Sequence, residues 1–384
     1  MIKTELVRLY PNARMKQVLN CLCDYRRYCW NQGLELWNNM YDEAKLMNNK
    51  AVMPNERKVR NELVRLKADW QYQYSARCLQ LAITDLSNAW KHFFDKSQPD
   101  WGKPKFKSKK THRQGFKTDC ARIVNGKLLL DKPRNVHEWS PIKIKGAYSL
   151  KGELKVVSIF KENNQYWAAL PFERSVEKLA KNQHITAIDV NVGHFNTPNS
   201  AVNVLPKRLE FLYKRIKHYQ RQLAHKRQVN GKLATHSHNY QVTRTKLHHD
   251  YHKVANIQHD IIQKFTTELV KNNQKIVIED LAVKKMQMSH VASKGLQRSL
   301  FGYFRQVLTY KCSWYGRNLI LADRFYPSTQ RCSQCGHIKT GDDKITLNGN
   351  QKHHTKHNEY ICYECGAVMD RDQNAVQNLL ALAK

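Results

Sequence analysis

Long apolar runs are missing from this sequence. No run of about 18 consecutive apolar residues occurs in its 384 residues, which argues against a membrane-spanning helix. The first residues, MIKTELVRLYP, also lack the apolar stretch of a secretory signal peptide. Internal repeats and long low-complexity tracts are absent as well. We therefore expect a soluble, intracellular protein with no membrane partner.

Acidic residues are scarce: 32 Asp and Glu stand against 65 Lys and Arg, a formal net charge of +33. Such an excess would repel itself in a compact fold unless a polyanion were the usual neighbour, and nucleic acid is the first candidate. A lysine-rich solvated surface is the alternative, although a merely soluble domain rarely carries so much charge of one sign. Basic and aromatic residues alternate in WGKPKFKSKK, which suits phosphate contacts combined with stacking. The candidate nucleic-acid-binding residues there are Lys103, Lys105, Phe106, Lys107, Lys109 and Lys110.

The ten cysteines are not evenly spread along the chain. Cys332, Cys335, Cys362 and Cys365 form the pattern C-x2-C-x26-C-x2-C, and two such knuckles can meet in a tetrahedral all-cysteine zinc site of the structural kind. His353, His354 and His357 lie between the pairs and are alternative ligands, while a redox role for either pair lacks the expected strand and helix context. The other six are expected to be small core residues: Cys21, Cys23, Cys29, Cys78, Cys120 and Cys312.

The first half of the chain divides into a helical and a β-rich region. A short strand, TELVRLY, is stopped by Pro11, and Asn12 is a plausible N-cap for the helix that follows. Helical spacing continues to about Phe94, so residues 13–95 are predicted to form a helical subdomain. Strand-length apolar runs broken by Gly, Asn and Pro then predict a small β-barrel or sandwich over 97–178, to which the first strand adds.

The second half begins with the apolar strand HITAID, which we expect to end at Asp189. Heptad spacing from Leu209 to Leu223 predicts a helix, QVNGKLATH its turn, and Tyr240, Tyr251 and Phe265 mark the returning arm of a helical hairpin. KIVIE is a buried strand with Glu279 at its end. A helix with Phe301, Phe304 and Leu308 and a last strand, NLILA, follow before the cysteines.

Three carboxylates stand where a catalytic site would need them. Asp189 and Glu279 end predicted strands and Asp372 opens the helix QNAVQNLLALA, so the three can converge on one crevice of an open sheet. Clustered carboxylates repel unless cations neutralise them, and paired divalent ions serve phosphodiester hydrolysis. Each carboxylate taken alone is better explained as a cap or a surface group. Asp280 is expected to face away and cap the next segment, and Asp370 is an alternative to Asp372.

Several stretches occur in one order along nearly the whole chain: LVRLYPNARMKQVLN, GKPKFKSKK, AIDVNVGHF, IVIEDLAVKKM, RFYPSTQRCSQCG and CYECGAVMDRDQNAVQNL. Together they resemble the TnpB family of transposon-encoded RNA-guided DNA nucleases, long called OrfB transposases and related to type V CRISPR effectors. The resemblance implies a multidomain α+β fold with an RNase H-like RuvC nuclease domain. It also implies a setting in the prokaryotic cytosol, in association with the nucleoid.

The resemblance also implies domains and roles. The domains are a wedge β-barrel (first strand in 1–12, remainder in 97–180), a helical recognition domain (13–96), the RuvC-like domain (181–326, with a helical hairpin insertion at about 203–272, and 369–384) and a zinc ribbon (327–368). Asp189, Glu279 and Asp372 would be the catalytic acids that hold Mg²⁺, and Cys332, Cys335, Cys362 and Cys365 would hold structural Zn²⁺. A guide RNA from the transposon end would pair with double-stranded target DNA beside a short transposon-adjacent motif.

The expected activity is therefore Mg²⁺-dependent, RNA-guided hydrolysis of DNA. Two alternatives from other classes remain open at this point. One is an RNA-guided DNA-binding repressor without nuclease activity, and the other is a DNA-joining transposase that uses the same acids. The sequence leaves the oligomeric state open.

Overall fold

The computed structural model describes residues 1–95, 102–110, 113–132, 139–146, 152–229, 232–281, 293–346, 348–350 and 352–383. The chain forms two compact units, Met1–Ser175 and Val176–Lys384. No helix within these described ranges is long and apolar enough to cross a membrane.

Three helices form the helical part of the first unit. They are α1 (Ala13–Leu46), α2 (Glu56–Arg65) and α3 (Ala76–Phe94), with short 3-10 turns at Lys50–Val52 and Asp69–Gln73. The predicted cap of α1 is confirmed, because the Asn12 side chain accepts a hydrogen bond from the Met15 backbone N–H at 2.8 Å. Helix α1 packs on α3 through the stacked rings of Trp37 and Trp90.

Eight strands form the sheet of the first unit. They are β1 (Ile2–Tyr10), β2 (Gln114–Thr118), β3 (Arg122–Val124), β4 (Lys127–Leu129), β5 (Ile142–Lys145), β6 (Glu153–Leu154), β7 (Val157–Glu162) and β8 (Gln165–Glu173). The main path runs β2-β7-β8-β1-β5-β4-β3, and β6 pairs with β8. The expected addition of β1 to this sheet is confirmed, since β1 lies between β8 and β5 in antiparallel register.

The path of this sheet curls back on itself. Its two end strands, β2 and β3, are consecutive in the chain, and their nearest residues, Thr118 and Arg122, are four residues apart. Seven flat strands would place the ends about 29 Å apart at about 4.8 Å per strand, whereas four chain steps of about 3.8 Å reach only about 15 Å. The sheet is therefore strongly curved, as a barrel requires.

A five-stranded mixed sheet forms the centre of the second unit. Its strands are β9 (Ile185–Asn191), β10 (His194–Asn196), β11 (Ala201–Asn203), β14 (Lys275–Glu279) and β15 (Asn318–Ala322), in the order β11-β10-β9-β14-β15. Strands β9, β14 and β15 are parallel, and β10 and β11 are antiparallel additions. This is the arrangement of an RNase H-like fold within a mixed α and β protein.

The expected end of β9 at Asp189 is wrong. The strand continues to Asn191 because Val192 and Gly193 make a tight turn, with φ of +93° at the glycine, and β10 pairs back with Asn196 opposite Asp189. Asp189 therefore lies within a paired stretch of sheet, opposite Asn196 of β10 and directly after the last residue of β9 that pairs with β14.

Helices and two short ribbons complete the second unit. The helices are α4 (Lys207–Lys226), α5 (His238–Asn272), α6 (Ser293–Ser299), α7 (Phe301–Tyr315) and α8 (Arg371–Ala381); the paired strands are β12 (Gln228–Val229) with β13 (Lys232–Leu233), and β16 (Glu359–Ile361) with β17 (Val368–Asp370). The predicted hairpin of α4 and α5 is confirmed, with Leu212, Ile216 and Val254 in its core. Tyr251 lies on the returning arm as predicted; it is half exposed, and its hydroxyl accepts a hydrogen bond from Gln220 of α4 at 2.8 Å.

The scattered cysteines only partly match the prediction. Cys23, Cys29, Cys78 and Cys312 are buried core residues. Cys21 and Cys120 are exposed, because the first lies on the outer face of α1 and the second in the turn after β2. Apolar neighbours in the sequence were therefore not enough to predict that a cysteine is buried.

Candidate active site and zinc centre

The carboxylates of Asp189 and Glu279 lie on neighbouring strands. Strands β9 and β14 are parallel and in register at Ile188 and Ile278, so the two residues that follow lie side by side and point to the same face. Glu279 is the last residue of its strand, as predicted, and Asp189 lies two residues before the end of β9. Adjacent strands are about 4.8 Å apart, which suits two carboxylates that share a cation.

Asp189 is the most buried of the three acids. It is 6% exposed and accepts a hydrogen bond from the Asn191 side chain, whose Nδ2 lies 2.6 Å from Oδ2. Burial raises the pKa of Asp189 to about 7, and the nearby carboxylates of Glu279 and Asp372 add to the shift. The effect of both neighbours on one pKa places the three acids in a single electrostatic cluster.

Glu279 is held by a residue that the sequence did not reveal. The Ser328 hydroxyl donates to Glu279 Oε1 at 2.6 Å. Burial raises the pKa of Glu279, while this hydrogen bond opposes the shift. Ser328 lies in an irregular segment after β15, where no periodicity could have indicated its partner.

Asp370 and Asp372 have different roles at the start of α8. Asp370 is the N-cap, and its Oδ1 accepts hydrogen bonds from the backbone N–H groups of Asp372 and Gln373 at 2.9 and 3.0 Å. Asp372 Oδ2 instead accepts from Asn196 Nδ2 at 2.9 Å and lies 3.4 Å from His194 Nε2. Because β10 pairs with β9 beside Asp189, these two contacts turn Asp372 toward the other acids.

The donor set fits a divalent cation with oxygen ligands. Two of the carboxylates lie on neighbouring strands and the third on the first turn of α8, and the burial of Asp189 makes its negative charge costly without a positive neighbour. The hydrogen bonds from Asn191, Ser328 and Asn196 each leave further carboxylate oxygens available, since a carboxylate offers about four lone-pair positions. The sequence analysis missed these three supporting residues. Of the three, only Asn196 could have been predicted from the sequence. The Val192–Gly193 turn sets the register that brings Asn196 opposite Asp189.

Asp280 points to a different environment from Glu279. Its carboxylate forms ion pairs with Arg305 and with Arg324, the latter at 3.0 Å. The expected capping of the next segment lies outside the described residues, which end at 281 and resume at 293. Asp280 thus binds two cationic side chains at the rim of the acidic cluster.

The four predicted cysteines come together at one point. Their sulfur atoms all lie within 4.8 Å of one another, with 3.8 Å between Cys332 and Cys365 and 3.6 Å between Cys335 and Cys362. Sulfurs at tetrahedral corners with Zn–S bonds of about 2.3 Å are about 3.8 Å apart. The cluster therefore has the dimensions of a four-cysteine zinc site.

The two knuckles have the same local structure. In each, the N–H of the first cysteine binds the carbonyl five residues on, and a glycine with positive φ follows the second cysteine: Gly336 at +79° and Gly366 at +74°. This left-handed backbone favours glycine and turns both sulfurs toward one point. His353 instead contacts Asp343 at 2.7 Å and stacks on Tyr363, so it is not among the clustered ligands.

Two buried amides connect the ribbon to the helix that carries Asp372. Asn374 and Asn378 are one turn apart on α8 and bind the backbone of the segment that leads into the first knuckle. Asn374 bonds to Ser333 N–H and the Arg331 carbonyl, and Asn378 to the Ser328 and Arg331 carbonyls. The segment between Glu279 and the ribbon is thus fixed on α8.

The cationic stretch 102–110 is anchored along α1. Trp30 Nε1 donates to the Lys105 carbonyl, and Asn31 binds both backbone groups of Lys107. Lys107 is half-buried with Nζ 3.2 Å from the centre of the Trp30 ring, and burial lowers its pKa to about 8. Lys109 pairs with Asp24 at 3.0 Å. The exposed members of the predicted set are Lys103, Lys105, Phe106 and Lys110, together with the paired Lys109.

Three family models match successive parts of the chain. A helix-turn-helix domain of the OrfB IS605 type matches residues 1–45, which in this structure are β1 and most of α1. The OrfB IS605 family, described as "Probable transposase", matches residues 168–290. The TNB domain of Cas12f1-like proteins matches residues 301–379, which contain all four clustered cysteines.

Relatives match most of the chain. It is 27% identical to a "Putative RNA-guided DNA endonuclease" of Streptomyces pristinaespiralis, over 97% of this chain and 87% of the relative. It is 26% identical to "Putative RNA-guided DNA endonuclease InsQ" of Escherichia coli K12, over 82% of this chain and 76% of the relative. A solved Cas12f1 in complex with sgRNA and target DNA has 13% identity and a TM-score of 0.36 over the whole of both chains.

Proposed function

We propose that this chain, which belongs to the TnpB or OrfB family, is a transposon-encoded, RNA-guided endonuclease that cuts double-stranded DNA beside a short transposon-adjacent motif. The observation that carries the proposal is that buried Asp189 lies beside Glu279 of the neighbouring strand and close enough to Asp372 of α8 for both charges to raise its pKa, within a protein of net charge +33. Acids gathered in a basic protein suit a metal-dependent reaction on a polyanion. The names of the two long-matching relatives support the same function.

The residues of the chain hold the acids in place for Mg²⁺. Bound by Asp189, Glu279 and Asp372, the metal would activate water and stabilise the leaving oxygen of a phosphodiester. Asn191, Ser328 and Asn196 fix one carboxylate each, at 2.6, 2.6 and 2.9 Å. His194 is half exposed, with its Nε2 3.4 Å from the Asp372 carboxylate.

We assign zinc a structural role in this mechanism. Cys332, Cys335, Cys362 and Cys365 would occupy all four positions of a tetrahedral ion, which leaves none open for substrate. The ion would hold the two knuckles together. Through Asn374 and Asn378 it would also support the first turn of α8, where Asp372 lies.

Plasmid cleavage by the purified ribonucleoprotein tests the proposal. The protein is expressed with its transposon end, and a plasmid with the matching target and adjacent motif is incubated in Mg²⁺. We expect linear product from wild type and none from Asp189→Ala or in the absence of Mg²⁺. Equal cutting by Asp189→Ala would contradict the assignment of the acids.

The same preparation separates the two alternatives. Retention of target DNA without nicking would identify a silent DNA-binding protein. Strand transfer in the absence of RNA would identify a DNA-joining transposase, whereas an obligatory RNA would exclude it. Sequencing of the RNA that copurifies with the protein gives the guide directly.

A further inference from the structure

The turn after β15 is ordered by its own hydrogen bonds. Asp323 Oδ1 accepts from the Phe325 backbone N–H at 2.8 Å, and the Asp323 carbonyl accepts from Tyr326 N–H at 3.0 Å. The turn is flanked by buried Ala322 and by Tyr326, whose hydroxyl donates to the Asn378 carbonyl on α8 at 3.0 Å. The backbone at Phe325 is therefore held on both sides.

The Phe325 side chain nevertheless stands in solvent. It is 87% exposed, more than any other aromatic side chain in the part of the chain that the structure describes. Isolated exposed apolar residues are common on protein surfaces and need no special role. An ordered turn that holds a phenyl ring outward is less common, because the ring forgoes the stabilisation that burial would give.

Two contacts keep the turn that carries Phe325 close to the acids. Residues on either side of Phe325 bind consecutive residues at the end of β14: Arg324 pairs with Asp280 at 3.0 Å, and Ser328 donates to Glu279 at 2.6 Å. Three residues span at most about 11 Å, so the backbone of Phe325 lies within about 11 Å of Ser328, which binds Glu279.

Two arginines lie beside the ring. Arg305 and Arg324 are each about half exposed, and both pair with the same carboxylate, Asp280. Asp280 and Asp323 balance their charge, but both guanidinium groups keep exposed N–H donors. An exposed aromatic face with adjacent arginines is the combination that binds a single nucleic-acid strand, where the ring stacks on a base and arginine contacts the phosphates.

We propose that Phe325, with Arg324 and Arg305, forms a nucleobase-stacking subsite that positions the DNA strand about to be cut. This inference rests on the proposed function and adds a positioning residue to it. Phe325 does not take part in the chemistry; it stacks on a base near the scissile phosphate and so holds that phosphate over the acids.

Cleavage of prebound target by four ribonucleoproteins tests the subsite. They are wild type, Phe325→Ala, Phe325→Trp and Phe325→Leu, bound to target in Ca²⁺ and started by excess Mg²⁺. Loss of one base–aromatic stack should lower the cleavage rate about tenfold or more. We expect Phe325→Ala to cut about tenfold more slowly, Phe325→Trp to match wild type, and Phe325→Leu, apolar but without a ring, to behave like alanine.

A control and a second readout accompany the rates. Phe211 on α4 is also exposed but lies on a helix outside the sheet, so Phe211→Ala should cut normally. A 2-aminopurine placed near the cut should lose fluorescence by stacking on wild type, and keep it on Phe325→Ala. Unfolding midpoints should not differ, since the ring is solvent-exposed.

The outcomes distinguish a failure of the stacking subsite from a failure of the proposed endonuclease function. Normal cutting by Phe325→Ala, or full activity of Phe325→Leu, would overturn the stacking subsite and leave the endonuclease intact. An equal loss in Phe211→Ala would attribute the effect to general hydrophobicity and would also overturn it. A wild type that does not cut a matched target would overturn the proposed function and the subsite together.

Discussion

At the scale of single residues, the three acids differ in how far their positions could be predicted. Asp189 and Glu279 follow from strand patterns, since each comes at or near the end of an apolar run at the same edge of a sheet. The preference for Asp372 over Asp370 does not follow from the sequence, because both lie at the start of the same helix. Their hydrogen bonds separate them: Asp370 caps the helix and Asp372 faces Asn196.

Substitution of Asp189 should change how stability depends on pH. Its folded pKa of about 7 is raised above the ordinary value, so its contribution to stability is full below about pH 4 and is lost as pH rises through 7. The asparagine in Asp189→Asn cannot ionise, so this variant does not lose folding stability as the pH rises. In the absence of Mg²⁺ it should be more stable than wild type at pH 8, by an amount of the order of a few kcal/mol.

Denaturant unfolding at pH 5 and pH 8 measures this difference. The gap between variant and wild type should widen with pH, and added Mg²⁺ should close it at pH 8 by stabilising wild type alone. A gap of the same size at both pH values would show that Asp189 is not forced to hold its proton.

The two aspartates at the start of α8 should respond oppositely to substitution. Asp372→Asn should reduce cleavage by at least about a thousandfold with little change in unfolding midpoint, because it removes a proposed metal ligand. Asp370→Ala should instead lower stability by about 1 kcal/mol through the lost cap and retain most activity. Asp370→Asn, which can still cap, is the matched control. If Asp370→Asn abolishes cleavage while Asp372→Asn retains it, the two roles are reversed.

At the scale of elements, periodicity predicted the long helices and the hairpin of α4 and α5 because their buried faces repeat every three to four residues. Contacts between distant segments could not be predicted in the same way. The strand β9 runs past Asp189 because β10 pairs back on it, and stretch 102–110 lies along α1 because Trp30 and Asn31 bind its backbone. Contacts of this kind leave no periodic pattern in the sequence from which they could be predicted.

Loss of one knuckle cysteine should reduce cleavage through the ribbon's attachment to α8. Cys335→Ser should lower bound zinc from one ion per chain to none, because three thiolates hold the ion far more weakly than four. Cleavage should fall severalfold or more, since Asn374 and Asn378 bind the segment that enters this knuckle. Cys120→Ser, exposed and outside the cluster, is the control. A Cys335→Ser protein without zinc that cuts normally would refute the coupling.

At the scale of the whole molecule, the charge of +33 indicated a nucleic-acid partner, but not which cations make the contacts. The structure separates them within stretch 102–110. Lys107 is half-buried against Trp30, whereas Lys105 and Lys110 are exposed, and so is Lys103, although its Nζ lies 5.6 Å from the centre of the Trp90 ring. A cation that packs on a ring stabilises the fold, and an exposed one can neutralise a phosphate.

Salt dependence of guide-RNA binding should reveal this division. Each phosphate contact contributes about 0.7 to 0.9 to the slope of log affinity against log salt, so the triple variant Lys103→Ala, Lys105→Ala, Lys110→Ala should lower the slope by about 2. Lys107→Ala should leave the slope unchanged and lower the unfolding midpoint. An unchanged slope in the triple variant would place the RNA elsewhere.

The central claim is that Asp189, Glu279 and Asp372 form one metal-dependent cutting site in an RNA-guided protein. Cleavage rates of Asp189→Asn, Glu279→Gln, Asp372→Asn and their pairwise doubles test it most directly, with guide, target and Mg²⁺ held constant. The effects of substituting residues that act as a unit are not additive. Each single variant should therefore cut at least about a thousandfold more slowly than wild type. Each double variant should cut no more slowly than the slower of its two single variants. A single variant that keeps near-wild-type cleavage, or doubles that lose the product of both single effects, would contradict the claim.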